Sequence, residues 1–350
     1  MKTGLDPKET GKWLRGEGME AGIVMSSRIR LARNIDGIPF LLKASVKEQI
    51  ELLDHVNKAL AASLLSNGKG IVKFEDLSPM EAEFLMERHL VSPDFVHSQT
   101  QRGFYATSGE DFSLMVNEED HIRMQMFASG LALVDLWQKI KKIEESIAVS
   151  LPFAYNERYG FLTACPTNVG TGMRASVLIH LPGIVLTKEI DRVLRGVLQL
   201  GLLVRGTYGE GTETKGYLFQ ISNQKTLGQS EEEIVETLTK TAHQLINYEK
   251  DAREYLDTKM GNYILDKVYR SLGILKYART LTSEETFNLL STLRLGWEKI
   301  PNLSIAKLNK LMILTKPANL QFYYAEDMAP EKRDVKRSEL VRESLADVQA

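Results

Sequence analysis

Five arginines fall on the polar side of strand-like stretches or in tight loops of the chain: Arg28, Arg30, Arg123, Arg174 and Arg205. A guanidinium presents rigid N–H forks that match phosphate oxygens, so several converging on one triphosphate would neutralise its charge and hold it in line for transfer. On spacing alone they read equally as scattered surface arginines with solvated partners. Two acidic loops accompany them, Asn117-Glu118-Glu119-Asp120-His121 and Arg205-Gly206-Thr207-Tyr208-Gly209-Glu210-Gly211-Thr212-Glu213. Carboxylates beside phosphate-binding arginines ask for a second, cationic ligand. Two of them can grip a planar guanidinium by paired hydrogen bonds, align one nitrogen with the γ-phosphorus and take the proton shed as a P–N bond forms. Salt bridges to neighbouring arginines are the competing reading. Cys165, the one cysteine, stands in the turn-rich stretch Cys165-Pro166-Thr167-Asn168-Val169-Gly170-Thr171-Gly172. It is either a small inert hydrophobe or, among arginines, a thiolate that helps to position a guanidinium.

The elements that must position these residues are legible from periodicity. Residues 23–31 read as a strand turning polar at Ser26-Ser27-Arg28-Ile29-Arg30. Apolar Ile50, Leu53, Val56, Leu60 and Leu64 predict an amphipathic helix over 46–65. Ser78-Pro79-Met80-Glu81 combines an N-cap, a proline at the first helical position and a capping-box glutamate, and starts a helix to about residue 90. From Gly103 the period changes to two, giving strands at 104–107, 112–116 and from 122 on. A helix over 131–147 follows, then strands at 160–165 and 174–181, a helix over 188–200, and strands near 202–205 and 217–222. After the capping box Ser230-Glu231-Glu232-Glu233 nearly everything reads helical, with further starts near Thr282 and Ser304. This switch divides the chain into an α+β catalytic domain, 1–240, and an all-helical domain, 241–350.

Composition sets the outer bounds. Hydrophobic residues make up 43% and charged residues 26%, as in a soluble globular protein. A net charge of −2 with both signs interspersed gives no global drive to bind nucleic acid. The polar stretch 1–18 is no signal peptide and no window spans a bilayer, so a cytoplasmic protein without a membrane partner is expected. There is no G-x-x-x-x-G-K-[ST] loop and no protein-kinase catalytic set. If ATP binds, arginine side chains cradle it, and Mg²⁺ is held by phosphates and water, with no metal cage of its own.

Together these segments resemble the phosphagen (guanidino) kinase family, whose hallmark loop C-P-[ST]-N-[LIV]-G-T stands here as Cys165 to Thr171. The match extends to Ser26-Ser27-Arg28-Ile29-Arg30, to residues 117–123, to Arg174-Ala175-Ser176-Val177 and to residues 205–210, in the family's order. The resemblance implies an antiparallel sheet flanked by helices, similar to the catalytic fold of glutamine synthetase, and ATP as phosphoryl donor. It places Arg28, Arg30, Arg123, Arg174 and Arg205 on the phosphates, Glu119 and Glu210 on the guanidinium, and Cys165 beside it. Ser26, Ser27, Ile29, Ala175, Ser176, Val177, Gly206, Thr207, Tyr208 and Gly209 belong by the same resemblance to the nucleotide site. His89 matches a nucleotide position, though alone it reads as an ordinary helix histidine. Leu178 stands where small-molecule members have an adenine-contacting histidine, which implies more apolar base contacts.

Two departures resemble a bacterial branch of the family that acts on arginine side chains in proteins. Only 25 residues precede Ser26, too few for the helical N-terminal domain that encloses small guanidines, and a helical region is added after about residue 230. Arg333-Asp334-Val335-Lys336-Arg337-Ser338 resembles that branch's R-D-x-x-R-A motif, with serine for alanine. There Arg333 and Arg337, one turn apart, would share the phosphate of an allosteric phosphoarginine and Asp334 would face its guanidino side. A solvated charged helix face is the plainer alternative. The resemblance further implies protein substrates marked for a Clp-type protease, an activator protein and a homodimer. A kinase of free arginine and a catalytically silent phosphoarginine adaptor are the rival functions.

Overall fold

Alternation and capping signals become ten strands and eleven helices among the residues that the computed structural model describes, namely 2–65, 70–206 and 215–349. In chain order they begin β1 (Val24–Arg33), α1 (Val46–Ala62), β2 (Val72–Lys73), α2 (Pro79–Glu87), α3 (Pro93–His97), β3 (Gly103–Ala106) and β4 (Phe112–Val116). Next are β5 (Ile122–Ser129), α4 (Leu133–Ala148), β6 (Tyr155–Asn156), β7 (Gly160–Phe161), β8 (Met173–His180), α5 (Pro182–Leu186) and α6 (Ile190–Gln199). The series ends with β9 (Leu202–Gly206), β10 (Leu218–Asn223), α7 (Glu231–Tyr277), α8 (Ser283–Gly296), α9 (Ile305–Leu314), α10 (Pro317–Tyr324) and α11 (Pro330–Ser344).

Eight strands form one antiparallel sheet in the order β2-β3-β4-β5-β1-β8-β10-β9, and β6 pairs with β7 as a separate hairpin. Period-two alternation gives the sheet two unlike faces. One face carries Ile29 and Leu31, Leu114, Ile122 and Met124, Ala175 and Val177, and Ile221, and packs on α1, α4 and the first half of α7. The opposite face carries Arg28 and Arg30 of β1, Arg123 of β5, Arg174 of β8 and Arg205 of β9, whereas Arg33 of β1 turns to the core face and pairs with Glu144 of α4. A second core joins Met25, Phe127 and Leu218 at the margin of that face to α8, α9, α11 and the second half of α7. The C-terminal helices therefore stand over the polar face.

Helix α7 runs through residue 240 without interruption. Its Ile234, Leu238, Ala242 and Leu245 sit in the first core and its Leu256, Ile264 and Val268 in the second, with the helical dihedrals broken at Met260 (φ −138°). Glu249 pins it to the sheet layer: its carboxylate accepts the backbone N–H groups of Gly183 (2.9 Å) and Ile184 (3.0 Å) at the start of α5. No helix among the described residues is long and apolar enough to cross a membrane.

The capping boxes at Ser78 and Ser230 form as the sequence predicts. Other bounds differ for local reasons. Helix α2 stops at Glu87, because His89 takes a left-handed conformation (φ +61°). Helix α1 buries Leu52, Leu53, Val56 and Leu60 while Ile50 and Leu64 stay exposed, so its core stripe is rotated from the predicted one. The strand expected at 160–165 is only the two residues of β7, and the chain then turns into the Cys165 loop.

Candidate active site

Register decides which side chains meet. Arg30 of β1 lies opposite Arg174 of β8 on one side and Gln125 of β5 on the other; Arg28 lies opposite Ser176 and Phe127, and Ala32 opposite Arg123. Arg205 of β9 pairs with Gln220, whose other neighbour is Leu178. Thus Ser26, Arg28, Arg30, Arg123, Arg174, Ser176, Leu178 and Arg205 alternate onto one face. Ser27, Ile29, Ala175 and Val177 do not. Ile29, Ala175 and Val177 are in the core beneath the sheet, and the Ser27 hydroxyl donates to the Gly130 carbonyl (2.8 Å) and accepts from Ala132 N–H (3.0 Å). Their side chains point away from the arginine face.

The arginine cluster is poorly neutralised from within. Arg28 donates to the Gln220 side-chain carbonyl at 3.2 Å, and the Nε of Arg30 is buried with no hydrogen-bond partner among the described residues. Burial first, then the charges of Arg123 and Arg174, lowers the pKa of Arg28 to about 10. Burial and the charges of Arg28, Arg123 and Arg174 also lower Arg30 well below its ordinary value. Such a cluster suits a polyanion, whose charge would relieve the mutual repulsion. Arg28, Arg30 and Arg123 line a cavity of about 660 Å³, together with His89, Met115 and Gln125. Burial, then the charges of Lys316 and Arg28, depresses the pKa of His89 well below the usual histidine range and keeps its ring neutral. Gln125 donates to the His89 carbonyl at 2.9 Å and holds that turn against the sheet.

The β4–β5 turn gives three successive carboxylates three different settings. Buried Glu118 accepts two 2.6 Å hydrogen bonds from Nη1 of Arg123 and one from Ser92. Buried Asp120 accepts from Asn34 Nδ2 and from the Ala164 N–H, both at 2.6 Å, and so ties the turn to the Cys165 loop. Glu119 is exposed between them. Partial burial, then the charges of Asp120 and Glu118, raises its pKa, opposed by Arg123 and by the nearby Cys165 side chain, whose sulfur lies 3.0 Å from the Thr167 hydroxyl. Glu119 and Cys165 also act on Arg174, whose pKa is lowered chiefly by burial and by Arg205 and Arg123. One carboxylate, one thiol and three arginines therefore share a small region. Thr226 fixes the far side of the Cys165 loop, its hydroxyl donating to the carbonyls of Thr167 (2.9 Å) and Val169 (2.7 Å). Gly170 (φ +110°) passes so close that a Cβ there would lie 2.1 Å from the Thr226 carbonyl oxygen.

Gly206 ends β9. Thr207, Tyr208, Gly209 and Glu210 lie outside the described residues. In the C-terminal motif, Arg337 is 1% exposed and donates to the carbonyls of Thr315 and Leu281, each at 2.7 Å, and to Asp334. Arg333 remains half-exposed. The structure thus turns Arg337 toward the core and engages Asp334 with it, one turn from Arg333.

Sequence reasoning passed over Gln125 and Gln220, which share the strand face of Arg123 and were findable by alternation. Asn34 and Thr226 act through contacts distant in sequence and left no local signal.

Two family profiles match consecutive parts of the chain: "ATP:guanido phosphotransferase, C-terminal catalytic domain" over residues 51–252 and "Protein-arginine kinase McsB C-terminal domain" over residues 261–350. A protein-arginine kinase of Moorella thermoacetica is 42% identical over 347 residues, 98% of this chain and 99% of that protein. The Bacillus subtilis protein-arginine kinase is 43% identical over 95% of this chain and 93% of its own length. Among solved structures, lombricine kinase superposes with a TM-score of 0.60 at 27% identity, over 70% of this chain and 72% of that one. With its arginine-faced antiparallel sheet and near full-length relatives, the chain belongs to the ATP:guanido phosphotransferase family, in the branch of the protein-arginine kinases.

Proposed function

We propose that this protein transfers the γ-phosphoryl group of ATP to the guanidinium of arginine side chains in other proteins. The observation that carries the reading is the exposed Glu119, which lies near Cys165 and beside a cluster of mutually repelling arginines, Arg28, Arg30, Arg123 and Arg174. Arg28, Arg30, Arg123, Arg174 and Arg205 would hold the triphosphate. Mg²⁺ would arrive with the nucleotide, bound by phosphate oxygens and water, because it gives up its water reluctantly. Glu119 and Glu210 would clamp the guanidinium, with Cys165 beside it. The attacking nitrogen forms the P–N bond as the bond from phosphorus to the bridging oxygen breaks, ADP leaves with that electron pair, and Glu119 takes the nitrogen's proton. Charge stabilisation by the arginines supplies most of the acceleration.

The catalytic part would be residues 1–240 and the helical part 241–350, the latter reading phosphoarginine through Arg333 and joining two copies in a homodimer. In the cytoplasm the product would mark proteins for a Clp-type protease, with an activator protein as regulator. The test is an incubation with Mg²⁺-ATP and either free arginine or an unfolded arginine-containing protein, with phosphate located by mass spectrometry under non-acidic conditions. Phosphate on protein arginines is expected. Phosphate on free arginine alone would make it a small-guanidine kinase, and phosphate on neither would favour a phosphoarginine adaptor.

A further inference from the structure

Three consecutive residues at the end of β1 touch both segments that carry the reactive groups. Arg33 Nη1 donates to the Thr171 carbonyl at 3.0 Å, at the far end of the Cys165 loop. Asn34 Nδ2 donates to the Leu162 carbonyl (3.0 Å), ahead of that loop, and to Asp120 Oδ1 (2.6 Å), while Asn34 Oδ1 accepts the His121 N–H (2.9 Å). The Ile35 N–H donates to His121 Nδ1 at 3.0 Å. Asp120 Oδ1 completes the link by accepting the Ala164 N–H at 2.6 Å. Glu119 directly precedes Asp120 and Cys165 directly follows Ala164. The two segments are therefore held together by the residues next to the reactive ones.

Asn34 is 1% and Asp120 2% exposed, so neither side chain is placed to touch a substrate. A side-chain amide suits the place of Asn34 because it both donates and accepts. Its Nδ2 serves two oxygens, its Oδ1 takes a third bond, and its own carbonyl accepts the Ala154 N–H at 2.8 Å, so the residue is fixed from four sides in a place closed to water. Arg30 stands four residues earlier on the same strand, about 13 Å away at about 3.3 Å per residue. One strand thus carries two of the clustered arginines and, beyond them, the anchor of the Glu119 turn and the Cys165 loop.

We propose that Asn34 is a positioning residue for phosphoryl transfer: bound to Asp120, His121 and Leu162, it fixes the separation of Glu119 from Cys165 and, through β1, their distance from Arg28 and Arg30. The inference rests on the roles given above to Glu119 and Cys165 and extends them to a buried residue that touches neither substrate. Transfer needs the attacking nitrogen in line with the phosphorus, and a misplacement of about 1 Å costs about 10²-fold in rate.

The test compares the full-length wild type with Asn34→Asp, with Asn34→Ala as the second variant should the first not fold, and with the double variant Asn34→Asp/Asp120→Asn. Asn34→Asp sets a carboxylate against Asp120. The double variant restores a carboxylate–amide pair with the roles exchanged, keeps acceptors for the His121 and Ala164 N–H groups and loses only the bond to Leu162. Circular dichroism melts verify the fold. With an unfolded arginine-containing protein as substrate, kcat should fall about 10²-fold in the single variants while calorimetric Mg²⁺-ATP affinity stays within about twofold, and the double variant should regain about tenfold. A merely structural role would lower the melting temperature and leave kcat of the folded protein unchanged. A second readout needs no turnover: alkylation of Cys165, the one cysteine, by iodoacetamide should be about threefold faster in the single variants and return toward the wild-type rate in the double variant. A kcat in folded Asn34→Ala within about threefold of the wild type, an equal loss of ATP affinity, or a double variant no better than Asn34→Asp overturns the inference and leaves the proposed function standing. A wild type that phosphorylates no arginine overturns the proposed function; alkylation then decides whether Asn34 holds the Cys165 loop, and equal rates in all four proteins overturn that as well.

Discussion

Glu118 and Glu119 are neighbours in the chain with opposite surroundings: Glu118 is buried and accepts both of its 2.6 Å hydrogen bonds from Arg123 through one nitrogen, while Glu119 is exposed beside the Cys165 thiol. In a strand-to-strand turn, adjacent side chains point to different sides, so a run of three carboxylates yields an anchor for Arg123, an exposed carboxylate and a loop tie. Only the middle one is exposed, as the proposed base must be.

Substitution separates these tasks. Glu119→Gln should lower turnover by about 10²- to 10⁴-fold through loss of the base and clamp while leaving ATP affinity within about twofold. Glu118→Gln releases Arg123 and should act first on ATP binding. Steady-state kinetics with titration calorimetry checks both, and identical profiles for the two variants would remove the distinction.

The pH profile follows from the raised pKa of Glu119. The carboxylate is the active form, so kcat/KM for the arginine substrate should rise with pH along a limb centred above the ordinary glutamate value of about 4.3. Asp120→Asn keeps an oxygen for the Ala164 and Asn34 donors but removes a like charge, and should move that limb to lower pH. A limb that moves upward would contradict the assignment. The linked stability has the opposite sign to the activity: a carboxyl whose folded pKa is raised favours the fold below its unfolded pKa, and that contribution is lost as pH rises through the folded value.

Arg30 should show a trade of stability for binding. Its buried Nε lacks a hydrogen-bond partner among the described residues and its charge is opposed by Arg28, Arg123 and Arg174. Arg30→Met should therefore raise the melting temperature of the ligand-free protein by about 2–4 °C. The same change should abolish the thermal stabilisation that ATP gives the wild type. Differential scanning calorimetry with and without Mg²⁺-ATP reads both effects. A lower melting temperature in the ligand-free variant would mean that Arg30 serves the fold.

How much of this was legible in the sequence depended on the range of the interaction. Capping at Ser78 and Ser230 and the alternation of Arg28 with Ile29 and Arg30 are local, and periodicity revealed them. The motif records Ser27, Ile29, Ala175 and Val177 as neighbours of the arginines, whereas a strand sends alternate side chains to opposite faces. That Phe287 and Lys316 line one cavity with His89 was unreadable, since α7 must first carry the chain from one core to the other. The resemblance identified the arginines; register determined which neighbours share their face.

The C-terminal motif yields the last prediction, because its two arginines have different burdens. Arg337 satisfies the buried carbonyls of Thr315 and Leu281, and its Thr315 contact sits one residue from Lys316 in the cavity wall. Arg337→Ala leaves those acceptors without partners in a site closed to water, and should destabilise the protein by about 2–4 kcal/mol. Arg333 is half-exposed on the same helix, so Arg333→Ala should change stability by less than about 0.5 kcal/mol. Urea unfolding measures both, and titration with phosphoarginine measures effector binding. Arg333→Ala should lose effector binding with its stability intact. Arg337→Ala should lose effector binding and stability together, so its effect on activity cannot be assigned to effector reading alone. Wild-type stability in Arg337→Ala would mean that the buried guanidinium is dispensable to the fold and that Arg337, like Arg333, is there for the ligand.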